Sequence, residues 1–447
     1  MKGKRMLLVL LFAALLAAGW FASVRSVSGA GVREKQNELV AQADGYAEKE
    51  LYVRAIPLYE EALTLSSALN PAIEEKLLAV YRAYGDFSSY TRLVEKRAAQ
   101  KTAKETEYIQ AADCYMAGSK IQEAMALIRK GMENLDPAEP GRQTLETYYE
   151  AHRYGYQVRN TRLTAVTPTA SNSWMPAFDG EKWGYVDEKG MAVLSFVYDS
   201  ATPFNAEGRA VVSIEGTYCT ILRNGDRYGV DDGKQYSRLT DVLTVSGNRV
   251  LGKRDGSYSY FNFDFEPIAS GYQFTQMTAN ACGVAAVKKD SGWGIITDSG
   301  ETVLDYTLEE VAVNSLGCAF AGNRAMVKEN GSWYLIDPEG NRVSETGYAG
   351  AKAPESAGYI AVADETGRWG FIDRDGELTI AYQYADALSF SDGLAAVQTG
   401  ADWGYISEKN ELVIEDFWSD ALPFHNGIAQ VGFAGNVSLL TLNYQEK

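Results

Sequence analysis

The spacing of apolar residues changes along the chain and divides it into parts that should fold differently. Over residues 33–160, apolar and small residues recur with helical periodicity, which predicts amphipathic helices. Over residues 174–447, short apolar runs alternate with turns rich in Gly, Asp and Asn, which predicts many short strands. Residues 161–173 are small and uncharged after Arg162 and are typical of a linker. The pattern therefore predicts an α + β multidomain protein.

A third pattern occupies residues 1–30. Lys2, Lys4 and Arg5 precede residues 6–24, a run of 19 residues without a charge. At 1.5 Å per residue, such a helix spans the hydrocarbon core of about 30 Å. The apolar segment of a cleaved signal peptide is usually shorter, roughly 7–15 residues. We therefore expect a single-pass signal anchor in the cell membrane, with cleavage near Ala30 and secretion as the alternative. In both cases the rest of the chain is extracytoplasmic.

Small residues and tyrosines recur in the helical part at matching spacings. The two clearest copies begin at Ala43 and Ala112, 69 residues apart, which is about two periods of 34. Their shared positions are Ala43, Tyr46, Ala55, Tyr59, Ala62, Ala112, Tyr115 and Ala124. This pattern resembles the tetratricopeptide repeat. The resemblance implies stacked helical hairpins that form either a peptide-binding groove or a rigid spacer.

A unit centred on tryptophan recurs through the strand-rich part. Clear copies read EKWGYVDEKG, SGWGIITDSG, GSWYLIDPEG, GRWGFIDRDG and ADWGYISEKN. Decayed copies on Tyr218, Tyr258 and Val437 raise the total to eight, at intervals of 34 to 40 residues. The structural repeat positions are Trp183, Gly184, Trp293, Gly294, Trp333, Trp369, Gly370, Trp403 and Gly404. The unit resembles the WG-repeat (KWG-repeat) family, which implies a bacterial surface or exported protein.

Residue alternation within this unit predicts how its sheets pack. In WGFI (369–372), Trp369 and Phe371 share one strand face while Gly370 and Ile372 share the other. Both faces therefore carry residues of buried type, so each sheet should be covered on both sides. Such sheets at a fixed period predict a β-propeller of seven or eight blades, with an open β-solenoid as the alternative. We expect the glycine to make room for a group from the next sheet.

Two further expectations concern the ring and its turns. The strand at residues 174–178 could pair with the last copy and close the ring. The acidic turns, such as DRDG, predict type I turns capped by Asp and ended by a left-handed Gly. Calcium binding by Asp373 and Asp375 is the alternative, but the other copies do not keep the second Asp.

Charge and motif content exclude several function classes. The net charge is −17, and residues 161–447 carry 21 basic and 39 acidic residues, a net of −18. This acidity argues against nucleic acid as a partner. His152 and His425 belong to no catalytic motif. The four cysteines have no zinc-ligand spacing and are expected to be buried free thiols, with a single disulfide as the alternative; they are Cys114, Cys219, Cys282 and Cys318.

The sequence predicts no catalytic residue, no metal site and no cofactor, and therefore no enzyme. It favours a non-catalytic, membrane-anchored binding or scaffold protein whose repeat surfaces bind a protein or a cell-envelope component. The alternative is a cell-surface protein that binds or hydrolyses glycans with a carboxylate pair in a propeller cleft. Trp418, Tyr382 and Tyr384 lie at less regular sites and are candidates for exposed contacts. No individual ligand-binding residue is identified by the pattern.

Overall fold

Helices precede strands in the computed structural model of the chain. The described residues are 31–65, 69–167, 169, 174–228, 238–268, 274–433 and 436–445. They fall in two compact units, Met1–Arg153 and Tyr154–Lys447. The expected signal anchor lies outside the described residues. Within them, no helix combines the length and apolar character needed to cross a bilayer.

The first unit consists of seven helices in the described part of the chain. Helices neighbouring in sequence pack against each other as hairpins, and a final helix follows the third hairpin. The helices are α1 (31–47), α2 (Tyr52–Thr64), α3 (Asn70–Tyr84), α4 (Phe87–Ala99), α5 (Glu105–Ala117), α6 (Ile121–Asn134) and α7 (Pro140–Arg153).

Small residues lie where these helices approach most closely. Five of the repeated alanines are fully buried, and Tyr59 is 2% exposed. The alanines are Ala43, Ala55, Ala62, Ala112 and Ala124. Tyr46 and Tyr115 are half-buried. Gly131 of α6 has the same role, because a Cβ there would lie 2.6 Å from Leu145 Cδ1 of α7. Hairpins are thus present, while the likeness to the tetratricopeptide repeat stays a prediction.

A buried ion pair connects three of the helices. Arg97 of α4 is 2% exposed. Its Nε donates to Glu107 Oε2 of α5 at 2.9 Å, and its Nη1 donates to Glu74 Oε2 of α3 at 3.4 Å. Its Nη2 donates to Thr102 O at 3.0 Å. The guanidinium therefore satisfies two carboxylates and a carbonyl in the core of the helical unit.

Replacing Arg97 by Ala should destabilise the helical unit by about 3–5 kcal/mol, because buried Glu107 loses its cationic partner and buried Glu74 keeps only Lys96. Arg92→Ala on the exposed side of the same helix is the matched control and should change stability by less than about 0.5 kcal/mol. Urea unfolding followed by circular dichroism measures both variants. Equal midpoints for the two variants would contradict this role of Arg97.

The second unit is a β-propeller of eight sheets. We number the blades along the chain by their first strand. Blade 1 contains β2 (Ala165–Val166), β3 (Met175–Phe178), β4 (Trp183–Val186) and β5 (Ala192–Tyr198); blade 2 contains β6 (Ser200–Ala201), β7 (Arg209–Ile214) and β8 (Thr217–Leu222); blade 3 contains β9 (Asp241–Ser246), β10 (Arg249–Arg254) and β11 (Ser257–Phe261); and blade 4 contains β12 (Gln276–Met277), β13 (Val284–Lys289), β14 (Gly292–Thr297) and β15 (Thr302–Leu308).

The remaining sheets follow the same antiparallel order. Blade 5 contains β16 (Glu310–Val311), β17 (Ala325–Glu329) and β18 (Ser332–Ile336); blade 6 contains β19 (Gly350–Ala351), β20 (Ile360–Ala363), β21 (Trp369–Ile372) and β22 (Leu378–Tyr384); blade 7 contains β23 (Asp386–Ala387), β24 (Leu394–Gln398), β25 (Trp403–Ser407) and β26 (Leu412–Trp418); and blade 8 contains β27 (Asp420–Ala421), β28 (Ile428–Phe433), β29 (Asn436–Leu442) and β1 (Tyr156–Asn160).

The ring is closed by β1 and not by residues 174–178. Strand β1 pairs antiparallel with β29, from Tyr156↔Leu442 to Asn160↔Ser438. Strand β3 cannot close the ring because β2 and β4 already pair with its two edges. The last helix ends at Arg153. Strand β1 comes from residues that we expected at the end of the helical part, and β2 comes from the expected linker. The pairing of β1 with β29 closes the ring, so the alternative fold, an open β-solenoid, is wrong.

The tryptophan strand packs both of its faces against neighbouring blades, as its alternation predicts. Phe371 is fully buried and lies in a cluster with Phe390 and Ile406 of blade 7. Ile372 is fully buried on the opposite face with Met326 and Leu335 of blade 5. Trp369 is only half-buried and packs at the edge of the Phe371 cluster. The central pair of the strand therefore holds three blades together.

A glycine follows four of the five repeat tryptophans, and the reason for it differs from the one expected. A Cβ on Gly370 would lie 2.6 Å from Ile380 O of β22, in the same sheet. Strand β22 bulges there, because Trp369 pairs with Tyr384 while Phe371 pairs with Ile380. The glycine thus makes room for the backbone of its own blade. Equivalent approaches to backbone oxygens occur at Gly184, Gly294 and Gly404.

The acidic turns have the predicted structural role. Asp373 Oδ1 accepts hydrogen bonds from the backbone N–H groups of Asp375 and Glu377, both at 2.9 Å. Asp187 does the same in blade 1. Gly376 adopts a positive φ of 88°, where a side chain would be strained. Among the described residues, no group of His, Cys, Asp or Glu is arranged to hold a metal ion.

Phe371→Ala should destabilise the propeller by about 3–5 kcal/mol through the cavity it leaves between blades 6 and 7. Leu378→Ala in the adjacent strand β22 is the control, since that side chain is 48% exposed. Guanidinium unfolding monitored by tryptophan fluorescence measures both. A loss at Phe371 no larger than the loss at Leu378 would show that this strand face does not carry the blade packing.

Gly370→Ala should cost about 1–3 kcal/mol, because its Cβ would overlap the carbonyl of Ile380 at the bulge. Gly400→Ala provides the control, since no atom outside its chain neighbours lies within 4 Å of a Cβ there. Melting temperatures from calorimetry compare the two. Unchanged melting at Gly370 would mean that the bulge relaxes without cost.

Candidate functional site

Residues of six successive blades surround a cavity of about 1040 Å³, and most of them lie in the first strands or in the loops after those strands. Residues from six blades can meet only near the axis of the ring, so this is the central cavity of the propeller. Each blade contributes a short segment to its lining, and these segments include Thr167 (blade 1), Asn205 (blade 2), Ser246 (blade 3), Asn280 (blade 4), Ser315 (blade 5) and Glu355 (blade 6).

Tight turns bring polar side chains to the middle of the ring. In several blades two consecutive residues with positive φ lead directly into the second strand, as at Asp392-Gly393 (51° and 74°) and Asn426-Gly427 (52° and 72°). This is the geometry of a type I′ turn, which favours Asn, Asp and Gly. The residue before each turn forms an isolated bridge across it, as in Ser391↔Leu394 and His425↔Ile428. The local sequence therefore fixes Ser391 and His425.

Three side chains from different blades meet beside the cavity. Ser315 Oγ lies 2.6 Å from Glu355 Oε2 and 2.6 Å from His425 Nε2. Glu355 Oε2 also lies 3.3 Å from His425 Nε2. The side chains of His425 and Glu355 are 7% and 8% exposed. Blades 5, 6 and 8 are thus connected directly across the ring.

The proton arrangement in this cluster follows from the acceptors. Glu355 accepts from the Ser315 hydroxyl, so the serine can only accept at its oxygen from another donor. A hydrogen on His425 Nε2 satisfies both the serine oxygen and the nearby carboxylate. Nδ1 then faces Ser391 Oγ at 3.5 Å. With this tautomer, the imidazole donates toward the Ser315 oxygen.

Two asparagines stabilise the cavity wall through the same pair of side-chain hydrogen bonds. Asn314 Oδ1 accepts from Cys318 N at 2.9 Å, and its Nδ2 donates to Pro354 O of the next blade at 3.0 Å. Asn205 Oδ1 accepts from Arg209 N at 2.8 Å, and its Nδ2 donates to Gly247 O at 3.0 Å. Each asparagine closes its own N-x-x-G turn and ties it to the following blade.

Burial changes the acidity of two groups that line the cavity. It raises the pKa of the Cys318 thiol to about 11, with smaller contributions from Cys282 and Glu355. Burial also raises the pKa of Tyr258 to about 12, and its hydroxyl donates to Asp241 Oδ2 at 2.6 Å. Both groups are therefore neutral at physiological pH and act as uncharged parts of the wall.

The structure corrects several expected positions. Trp418 and Tyr384 are 2% and 7% exposed, because they pair across the bulge with Trp403 and Trp369. Tyr382 is half-buried. All four cysteines are free, but only Cys219 is buried and Cys282 is exposed.

Sequence reasoning missed most residues of the cluster. His425 stood out only as one of two histidines, and Ser315 and Glu355 not at all. The signal was present where the repeat breaks, in VNSLGCAF (313–320) and APES (353–356). Blades 7 and 8 carry the run D-A-x-x-F at 386–390 and 420–424, and Asn314 and Pro354 replace its Phe in blades 5 and 6. His152 belongs to no such site: its Nδ1 contacts Tyr148 O at 2.7 Å on α7.

Comparison with known proteins agrees with the repeat. A family model for the WG containing repeat matches residues 183–218, 369–401 and 403–435. No curated protein sequence matches the chain significantly.

Several solved structures are similar to parts of the chain at low identity. Kluyveromyces lactis Hsv2 is 10% identical over 64% of this chain and 98% of its own, with a TM-score of 0.37. A crystal structure of the eukaryotic initiation factor is 8% identical over 66% and 88%, with a TM-score of 0.41. The Yersinia enterocolitica type III secretion translocator chaperone SycD is 15% identical over 27% and 90%, with a TM-score of 0.22.

Thiol labelling should distinguish the cysteines of this region. At pH 8 we expect iodoacetamide to modify exposed Cys282 well before Cys318, because the reactive form is the thiolate and burial keeps Cys318 protonated. Mass spectrometry of peptides after timed quenching measures the order. In urea the two rates should converge. Faster labelling of Cys318 in the folded protein would contradict its position in the wall.

Proposed function

We propose that this chain is a non-catalytic, membrane-anchored extracytoplasmic binding or scaffold protein. In this proposal the propeller binds a protein or cell-envelope component through its central cavity. The helical unit, which we propose to be tetratricopeptide-like, holds the propeller away from the membrane or binds a second partner. The apolar run at residues 6–24 and the basic residues before it support the anchor and the orientation.

The central cavity is the observation that carries the binding role. Most of the cavity lining comes from the first strands and the loops after them, and Tyr258 and Trp293 of the repeated position also reach it. Its volume of about 1040 Å³ is at the upper end of ordinary ligand sites, which are about 300–1,000 Å³. Its wall is braced by the two asparagine bridges, so it is formed before any ligand arrives.

The geometry of the polar cluster supports binding over catalysis. In a serine triad, the acid holds Nδ1 of the histidine and the serine donates to Nε2. Here Glu355 lies on the Nε2 side and itself accepts the hydrogen bond of the serine hydroxyl. Glu355 is also the only carboxylate among the described lining residues, whereas glycoside hydrolysis ordinarily uses two carboxyl groups about 5–10 Å apart.

Blocking the cavity should abolish partner capture. Leu316 lines it in a half-buried turn and belongs to no blade-core cluster, so Leu316→Trp should fill part of the cavity. Leu412→Trp on outer strand β26, 46% exposed in the native chain, is the matched control. The measurement is capture of cell-envelope proteins and glycans by the full-length protein, followed by mass spectrometry. Recovery of nothing above background by the native chain would sink the proposal.

A further inference from the structure

Among the described residues that line the central cavity, Glu355 is the only one with a charged side chain. The polar remainder consists of hydroxyl and amide groups, including those of Thr278, Asn205 and Ser315. No lysine or arginine appears in this described lining. The cavity therefore disfavours an anion and offers a single negative acceptor.

The partners of Glu355 stabilise its charge without supplying a permanent positive one. Ser315 donates to it through its backbone N–H, 3.1 Å from Oε1, and through its hydroxyl, 2.6 Å from Oε2. His425 Nε2 adds a contact at 3.3 Å. A carboxylate this buried is costly unless it is compensated. The N–H and O–H groups of Ser315 supply only dipoles, and a cation entering the cavity would place a full positive charge beside the carboxylate.

The same wall suits the rest of a basic side chain. Met277, Leu316 and Phe320 line the cavity together with Glu355. Long basic side chains bury their methylene stems on apolar surface while the charged end finds a polar partner. The volume of about 1040 Å³ exceeds what one side chain fills, so the backbone that carries it can enter as well.

Long-range electrostatics favour the same class of partner. Residues 161–447 carry a net charge of −18. A surface of one sign attracts partners of the opposite sign and raises their association rate.

We propose that the central cavity binds a lysine side chain presented by a partner polypeptide, with its ammonium group on Glu355. This inference rests on the proposed binding function and names the chemistry of its partner. The Ser315 hydroxyl and the His425 imidazole act as positioning groups, because they hold the carboxylate at the cavity wall.

The test is calorimetric titration of the full-length protein with a blocked Gly/Ser heptapeptide that carries one central lysine. The control peptide is identical except that the lysine is acetylated, which removes the charge. We expect acetylation to weaken binding by about tenfold or more, because it removes the charge that strengthens the hydrogen bond to Glu355. Cadaverine serves as the free-amine probe and should bind more weakly than the peptide.

Variants locate the effect. Glu355→Gln keeps an acceptor for Ser315 and should abolish the preference for the charged peptide. Asp386→Asn makes the same change of charge outside the described lining, at a carboxylate that pairs with Lys352 at 3.1 Å, and should leave the preference intact. Leu316→Trp should block both peptides. Melting temperatures confirm that each variant is folded.

Equal affinity for the two peptides, or an unchanged preference in Glu355→Gln, would overturn the inference. Tighter binding of cadaverine than of the peptide would overturn the polypeptide partner. Envelope capture that persists in Glu355→Gln and Leu316→Trp would leave the binding function standing and remove the lysine site. Absence of all capture and all peptide binding would remove both.

Discussion

Each blade of this propeller is apolar on both faces, so no blade can bury its core without a neighbour on either side. Phe371 and Ile372 express this constraint in two adjacent residues, because one packs toward blade 7 and the other toward blade 5. A linear stack would leave an apolar face exposed at each end. Closing the ring removes both ends, and β1 does so by completing blade 8 with chain from the other end of the domain.

Short-range chemistry then makes the repeated unit fold the same way each time. The glycine after the tryptophan admits a backbone oxygen at a bulge, and the turn Asp satisfies two amides of its own hairpin. The bulge glycine and the turn aspartate recur at the period of the blades, so the repeat in the sequence makes both of them visible. Strand faces, turn type and blade repetition are therefore predictable without coordinates.

The closing strand and the site are harder to predict because neither recurs. Tyr156–Asn160 carries no tryptophan and directly follows a helix, so local pattern gives no reason to pair it with residues 436–442. Ser315 and His425 are 110 residues apart and meet only because the ring brings blades 5 and 8 together. Contacts across the ring axis form only when the ring closes. The sequence repeat predicts contacts between successive blades and gives no information on contacts between blades that are distant in the chain. The breaks in the repeat at 313–320 and 353–356 indicate where the polar cluster lies, but they do not predict which side chains contact each other there.

Ring closure is the claim on which the cavity and its cross-ring contacts depend, and native-state hydrogen exchange of the full-length chain tests it most directly. If β1 is the outer strand of blade 8, the bonded amides of Tyr156–Asn160 should exchange as slowly as those of β29 and rise to solvent rates only with global unfolding. Exchange of these amides at the rate of an unprotected linker, while β29 stays protected, would contradict the closed ring.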